Sequence, residues 1–297
     1  MKQKTIKTEI SVSGKGIHAG KPAVVRFLPA GMNEGINFAR MDIHNSRLIS
    51  GNWKNVVDTV RATTLGIGEV KIRTVEHLLS AVYGTGITNL RIEIDGEEVP
   101  ILDGSAMEYF RLFTHTGIVE QSNEARTLAL QQEFSVTDSV KNSKIKITPA
   151  NSFTITYHLN YKGIEQRLSY TFSSETYSHD IAPARTFSML SELEFMLDQG
   201  LIRGIQDAPG FAVIDNDSKI EHLQKKIGTD LLPFTHKNDK LPILSKERLR
   251  FPDEMVRHKI LDIIGDFALS GCYIQGHVEA HGTGHSENIA LLSKILS

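Results

Sequence analysis

The amino-acid sequence predicts an α+β protein of two similar domains, each a mostly antiparallel sheet packed with helices. Three observations carry this expectation. Strands come in runs with helices after them, that order recurs in both halves, and a polar stretch without periodicity at residues 120–126 separates the halves. The division is placed at residue 122, giving domains of residues 1–122 and 123–297. The recurrence hints at an internal duplication, although no residue-level repeat is visible.

In the first half, residues 5–12 alternate so that Ile6, Ile10 and Val12 share a strand face. Gly14, Gly16 and Gly20 punctuate a loop before a strand at 23–28. Residues 70–73 read as a short strand and 75–83 as a helix with Thr74 as its N-cap. Residues 89–95 alternate as a half-buried strand. Asp103-Gly104-Ser105 then makes a turn into a helix ending near 114, with Asp103 and Ser105 both suited to cap it. In the second half, strands are expected at 127–136, 144–148 and 153–159, and a helix at 188–199 stopped by Gly200. A polar surface loop at 228–242 precedes a helix at 252–269, a strand at 273–280 and a final helix after Gly284-His285.

Length and composition set the class. The 297 residues suffice for two ordinary domains, and 40% hydrophobic with 23% charged residues is globular rather than disordered composition. A net charge of −2 excludes a broadly basic nucleic-acid surface, so an anionic substrate must meet a local basic site. The lone Cys272 allows no intramolecular disulfide and suits a reducing compartment. The first residues carry no apolar signal segment, and no apolar run approaches the ~18 residues of a spanning helix. A cytoplasmic protein without stable membrane insertion is expected.

Three segments carry chemistry. In Arg257-His258-Lys259-Ile260-Leu261-Asp262-Ile263-Ile264-Gly265-Asp266, a rotation of ~100° per residue puts His258, Asp262 and Asp266 within one arc of ~80°. Lys259 stands at the edge of that arc, and Ile260, Ile264 and Phe267 face the other way. In the second segment, Glu76 and His77 open an otherwise apolar helix, where burial is costly without a compensating partner. In the third, Gly284-His285 follows a strand, and glycine lets a turn expose the ring; His281 is the competing histidine. Taken alone, each has an ordinary explanation: a solvated helix face, a carboxylate at the positive end of a helix, a turn histidine. Together they supply two imidazoles and a carboxylate for a metal with an open fourth position, plus a carboxylate base and a cationic acid.

Six blocks in order resemble the UDP-3-O-acyl-N-acetylglucosamine deacetylase family. They are Ser13-Gly14-Lys15-Gly16-Ile17-His18-Ala19-Gly20, Thr74-Val75-Glu76-His77-Leu78, and Val99-Pro100-Ile101-Leu102-Asp103-Gly104-Ser105-Ala106. The others are Ala184-Arg185-Thr186-Phe187, the segment from Arg257 to Asp266, and Gly284-His285 with Asn288. The resemblance implies two α+β domains with the active site between them, and one Zn²⁺ on His77, His258 and Asp262; iron(II) suits the same ligands. It implies Glu76 as general base, and His285, held and charged by Asp266, as general acid or electrostatic stabiliser. Thr186 would donate to the oxyanion, Lys259 would meet the substrate diphosphate, Phe187 would pack on the sugar, and His18 would line the site without binding metal. The implied reaction releases acetate from the 2-acetamido group of a nucleotide sugar in lipid A biosynthesis of Gram-negative bacteria. The enzyme would act as a monomer. An insertion at 193–215, with Phe195, Met196, Leu197, Leu201, Ile202 and Ile205, would form an apolar passage for the fatty acyl chain, although such a stripe is more often plain core. Asp103-Gly104-Ser105 is read as structural. Phe153, Tyr157 and Tyr161 are the candidates for stacking the uridine. The sequence departs from the family pattern at Gly282 and Thr283, where relatives often carry a basic residue.

Other classes fit less well. Gly14-Lys15-Gly16 and Gly282-Thr283-Gly284 lack the spacing of a kinase phosphate loop, and there is no HExxH of a metallopeptidase. A non-catalytic binding relative would lack the base or the acid, yet Glu76 and His285 are both present.

Overall fold

The computed structural model describes residues 1–207, 209–215, 220–227, 232–234 and 242–297. Its first half runs β1 (Lys2–Ile6), β2 (Ile10–Lys15), β3 (Pro22–Pro29), β4 (Ile36–Arg40), β5 (Ile49–Ser50), β6 (Val56–Asp58), β7 (Thr64–Ile67) and β8 (Val70–Ile72). Then come α1 (Glu76–Thr85), β9 (Leu90–Ile94), α2 (Met107–Thr116) and β10 (Ile118–Glu124). The second half runs β11 (Thr127–Ala129), β12 (Phe134–Asp138), β13 (Ser143–Thr148), β14 (Phe153–Tyr161), β15 (Ile164–Thr171), α3 (Ser174–Asp180), β16 (Phe187–Met189) and α4 (Leu190–Asp198). It ends with β17 (Phe211–Val213), α5 (Ile220–Ile227), β18 (Leu232–Phe234), β19 (Ile243–Ser245), α6 (Glu254–Ala268), β20 (Tyr273–His281) and α7 (His285–Leu296).

Period-two alternation builds both main sheets. In β3, Ala23, Val25 and Phe27 are buried while Val24 and Arg26 face out; in β20, Ile274, Val278 and Ala280 are buried in the same rhythm. The first sheet has strand order β2-β3-β9-β4-β5 and the second β12-β13-β20-β14-β15. Along these orders each is antiparallel except for one pair, β4 with β9 and β14 with β20, and β11 adds a further parallel pairing to β20 in the second sheet. The two orders are the same when strands are ranked within their half, so the duplication invisible in residues is present in topology. A small sheet, β6-β7-β8, is inserted before α1, and the sheet β16-β17-β19-β18 with α4 and α5 is inserted before α6, the corresponding place.

Helices α1 and α6 occupy equivalent positions and pack against each other at the centre. Every residue of α1 is buried, and so is most of α6. The expected polar arc of α6 therefore faces protein rather than water. Leu78, Leu79, Ile260, Ile263, Ile264 and Phe267 fill the core around them, each contributing roughly 1.5–3 kcal/mol by burial.

Several local expectations are corrected. Thr74 does not cap α1: it has φ of 60°, its hydroxyl donates to Glu98 at 2.9 Å, and Val75 precedes the helix without a side-chain cap. Ala106, not Asp103 or Ser105, is the residue before α2. Asp103 is drawn into a turn that accepts from the Ser105 N–H and hydroxyl, and Ser105 still accepts from the Met107 N–H. The strand expected at 127–136 splits into β11 and β12, because β11 joins β20 while β12 joins β13. The polar stretch after residue 118 is a strand, β10, because β1 offers it an antiparallel partner. Most of 228–242 lies outside the described residues, but 232–234 within it form β18, paired with β19. Among the described residues no helix is long and apolar enough to cross a membrane.

Candidate metal centre

The first turn of α1 carries Glu76 and His77, and α6 places His258 and Asp262 one turn apart. The packing of the two helices brings His77, His258 and Asp262 together, all buried, with one ligand atom from each within 4.8 Å of the others. His258 Nε2 lies 3.3 Å and His77 Nε2 3.8 Å from Asp262 Oδ1, and the two rings meet edge to face at 4.9 Å. His258 Nδ1 is 3.1 Å from the Ala184 carbonyl oxygen, which leaves Nε2 to face the cluster.

The donors fit a metal ion. Asp262 Oδ1 is buried without a hydrogen-bond partner among the described residues, a costly state that a cation relieves. Ligand atoms ~2.0–2.2 Å from one tetrahedral ion stand roughly 3.3–3.6 Å apart, close to the 3.3 and 3.8 Å between Asp262 Oδ1 and the two ring nitrogens. Burial, reinforced by His258, lowers His77 to about 3, and burial likewise lowers His258, which favours the neutral, ligating form of each ring. Burial alone would raise the Asp262 carboxyl, but His258 and Lys259 hold it below the usual carboxylate range. Lys259 donates to Asp262 Oδ2 at 2.8 Å and stands 5.8 Å over the Phe187 ring.

Beside the cluster is a second buried group. Glu76 accepts from the Thr63 N–H at 3.0 Å through Oε2, while Oε1 lies 3.9 Å from His285 Nε2. His285 Nδ1 meets Asp266 Oδ2 at 2.8 Å. Asp266 also accepts from the Thr63 hydroxyl at 2.6 Å and the Asn288 amide at 2.8 Å, so its position is fixed from three sides. Burial would lower His285, but the adjoining Asp266 and then Glu76 overcome it and lift the imidazole to about 10. Burial pushes Glu76 up to about 7 against the pull of His285. Thr63 escaped the sequence reading because nothing in its neighbourhood marks a threonine that spans two carboxylates. The competing His281 is exposed and stacks on His158 at 4.2 Å.

A cavity of about 120 Å³ opens onto this chemistry. His18, Glu76, His77, Thr186 and Phe187 line it, together with the apolar Leu193, Met196, Ile202 and Ile205. Phe195 and Leu201, grouped with that apolar stripe in sequence, are 61% and 38% exposed; in α4 the helical phase turns Phe195 away from Leu193 and Met196. Leu197 packs on the edge of the small core beneath the cavity. Thr186 is held by its N–H to the Gly104 carbonyl at 2.7 Å and by its own carbonyl to Phe211 N–H at 3.1 Å. Gly104 and Gly210 both have positive φ at this crossing, and a Cβ on Gly210 would stand 2.1 Å from the Thr186 oxygen. Asp103-Gly104-Ser105 thus builds the turn behind Thr186, with Arg250 donating to Asp103 at 2.7 Å. Gly16 faces the Glu98 carboxylate, 2.3 Å from where its Cβ would stand, so that loop offers no phosphate cradle. Among the uridine candidates, Phe153 and Tyr157 are core residues, the latter donating to the Thr283 carbonyl at 2.6 Å, while Tyr161 is exposed.

The model of the LpxC family, described as UDP-3-O-acyl N-acetylglycosamine deacetylase, matches residues 3–226 and 236–297. A UDP-3-O-acyl-N-acetylglucosamine deacetylase of Helicobacter hepaticus is 37% identical over 298 residues, covering 100% of this chain and 91% of the relative. One from a Nitratiruptor species is 38% identical over 297 residues, with 100% and 91% covered. The bifunctional enzyme LpxC/FabZ of Chlorobaculum tepidum is 34% identical over 300 residues, and this chain spans 64% of its length. The chain belongs to the LpxC deacetylase family and is a hydrolase of that class.

Proposed function

We propose that the chain hydrolyses the 2-acetamido group of UDP-3-O-acyl-N-acetylglucosamine, releasing acetate, with one Zn²⁺ held by His77, His258 and Asp262. The observation that carries this reading is the buried Glu76 carboxyl group 3.9 Å from the buried His285 ring, beside three donors within 4.8 Å of one another. When bound, Zn²⁺ supplies a Lewis acid that polarises the amide carbonyl and draws the pKa of a water towards ~7. Fe²⁺ could take its place.

Glu76 takes the water's proton in this reading, which is supported by a value raised to about 7 by burial; a neighbouring divalent charge favours its ionised form. His285 stays protonated through neutral pH, so it stabilises the developing oxyanion or protonates the departing amine. Asp266 keeps it charged and oriented. The Thr186 hydroxyl donates to the oxyanion. Lys259 meets the diphosphate as a point charge, Phe187 packs on the sugar, and His18 lines the cavity. The apolar lining residues Leu193, Met196, Ile202 and Ile205 receive the acyl chain. The same reading puts the chain in lipid A biosynthesis in a Gram-negative cytoplasm, as a monomer whose domains divide near residue 122.

Purified protein should release acetate from the nucleotide sugar, stop when a chelator removes the metal, and resume with added Zn²⁺. Release indifferent to the chelator would contradict the metal, and no release by metal-loaded protein would contradict the reaction.

A further inference from the structure

Glu98, between β9 and α2, is 3% exposed and has no part in the mechanism above. Its Oε1 accepts from the His18 N–H at 2.9 Å and the Thr74 hydroxyl at 2.9 Å, and its Oε2 accepts from the Ala19 N–H at 2.6 Å. The neighbouring backbone is bound to the strand end before α1: Arg73 N–H donates to the Glu97 carbonyl at 2.9 Å, and Val99 N–H to the Arg73 carbonyl at 3.1 Å. Thr74 has φ of 60°, a conformation a β-branched residue rarely adopts. It stands two residues before Glu76 and three before His77, and His18, Thr74, Glu76 and His77 all line the same cavity.

We propose that Glu98 is a positioning residue, whose carboxylate holds Thr74 in its left-handed turn and so sets where Glu76 and His77 stand at the start of α1. The same group ties the loop bearing His18 to that anchor. Three donors converge on two oxygens, which a carboxylate satisfies by acceptance alone. A glutamine would turn its own N–H₂ against at least one of those donors. The catalytic consequence rests on the reading of Glu76 as base and His77 as ligand.

The test compares Glu98→Gln, Thr74→Val, Thr74→Gly and the double variant Glu98→Gln/Thr74→Gly. The readouts are kcat and KM for acetate release, Zn²⁺ affinity by chelator competition, hydrogen exchange at residues 75–79, and thermal unfolding. Glu98→Gln and Thr74→Val should unfold cooperatively, yet lose about tenfold in Zn²⁺ affinity and at least about tenfold in kcat, with faster exchange at 75–79. In the Thr74→Gly background, adding Glu98→Gln should cost under about threefold, because glycine takes the left-handed turn unaided. Retention of kcat and metal affinity within about twofold in both Glu98→Gln and Thr74→Val would overturn the proposal, as would an equal loss from Glu98→Gln in the two backgrounds. If Glu98→Gln does not fold, Thr74→Val decides, since it leaves the carboxylate and the His18 loop intact. Wild-type protein without acetate release would sink the functional reading alone, because metal affinity and exchange would still report on the positioning.

Discussion

Gly265 of α6 lies directly against the backbone of Glu76: a Cβ there would stand 2.1 Å from the Glu76 carbonyl oxygen. This contact lets the helix bearing His258 and Asp262 close on the helix bearing His77. Gly265→Ala should push them apart, costing about 1–3 kcal/mol of stability and weakening Zn²⁺ binding. Thermal unfolding with and without the metal measures both effects. A variant with wild-type metal affinity would show that this crossing does not set the spacing of the donors.

Glu76→Gln keeps the shape of the side chain and removes its basicity. Turnover should fall about 10²–10⁴-fold while the metal stays bound. Undiminished acetate release would remove Glu76 as the base.

For His285→Gln the expectation is a loss in kcat of about 10²–10³-fold with little change in KM, since its charge matters in the transition state. A change confined to KM would assign it to substrate binding instead.

Acid stability should depend on Glu287. Burial would raise its carboxyl, but hydrogen bonds from Lys141, Ser286 and the Gly284 N–H outweigh that and hold it at about 2. Its stabilisation is therefore complete above the ordinary carboxylate range and is lost as pH falls from about 4.5 towards 2. Glu287→Gln should be less stable by about 1 kcal/mol at neutral pH, and the deficit should shrink across that window. Denaturation midpoints at several pH values test this, and parallel curves for the two proteins would contradict it.

Much of the site was legible because its residues sit in ordered, strongly patterned segments. The arc of His258, Asp262 and Asp266 follows from helical rotation alone, and Glu76-His77 stood out as polar residues opening an apolar helix. What the sequence hid depends on long-range partners. Thr74 looked like a cap because nothing nearby reveals that Glu98, 24 residues on, takes its hydroxyl. Thr63 meets Asp266 across 203 residues. Residues 120–126 read as a polar break between the halves because a half-exposed strand needs no apolar run, only a partner, and β1 provides it for β10. β5, β16 and β18 have two or three residues each, too short for any periodicity to register.

The most direct measurement is anomalous diffraction at the zinc edge from crystals of the metal-loaded protein. A single peak within about 2.0–2.2 Å of a ring nitrogen of His77, a ring nitrogen of His258 and a carboxylate oxygen of Asp262 is the predicted result. A peak elsewhere, or one beyond bonding reach of His77, would contradict the account.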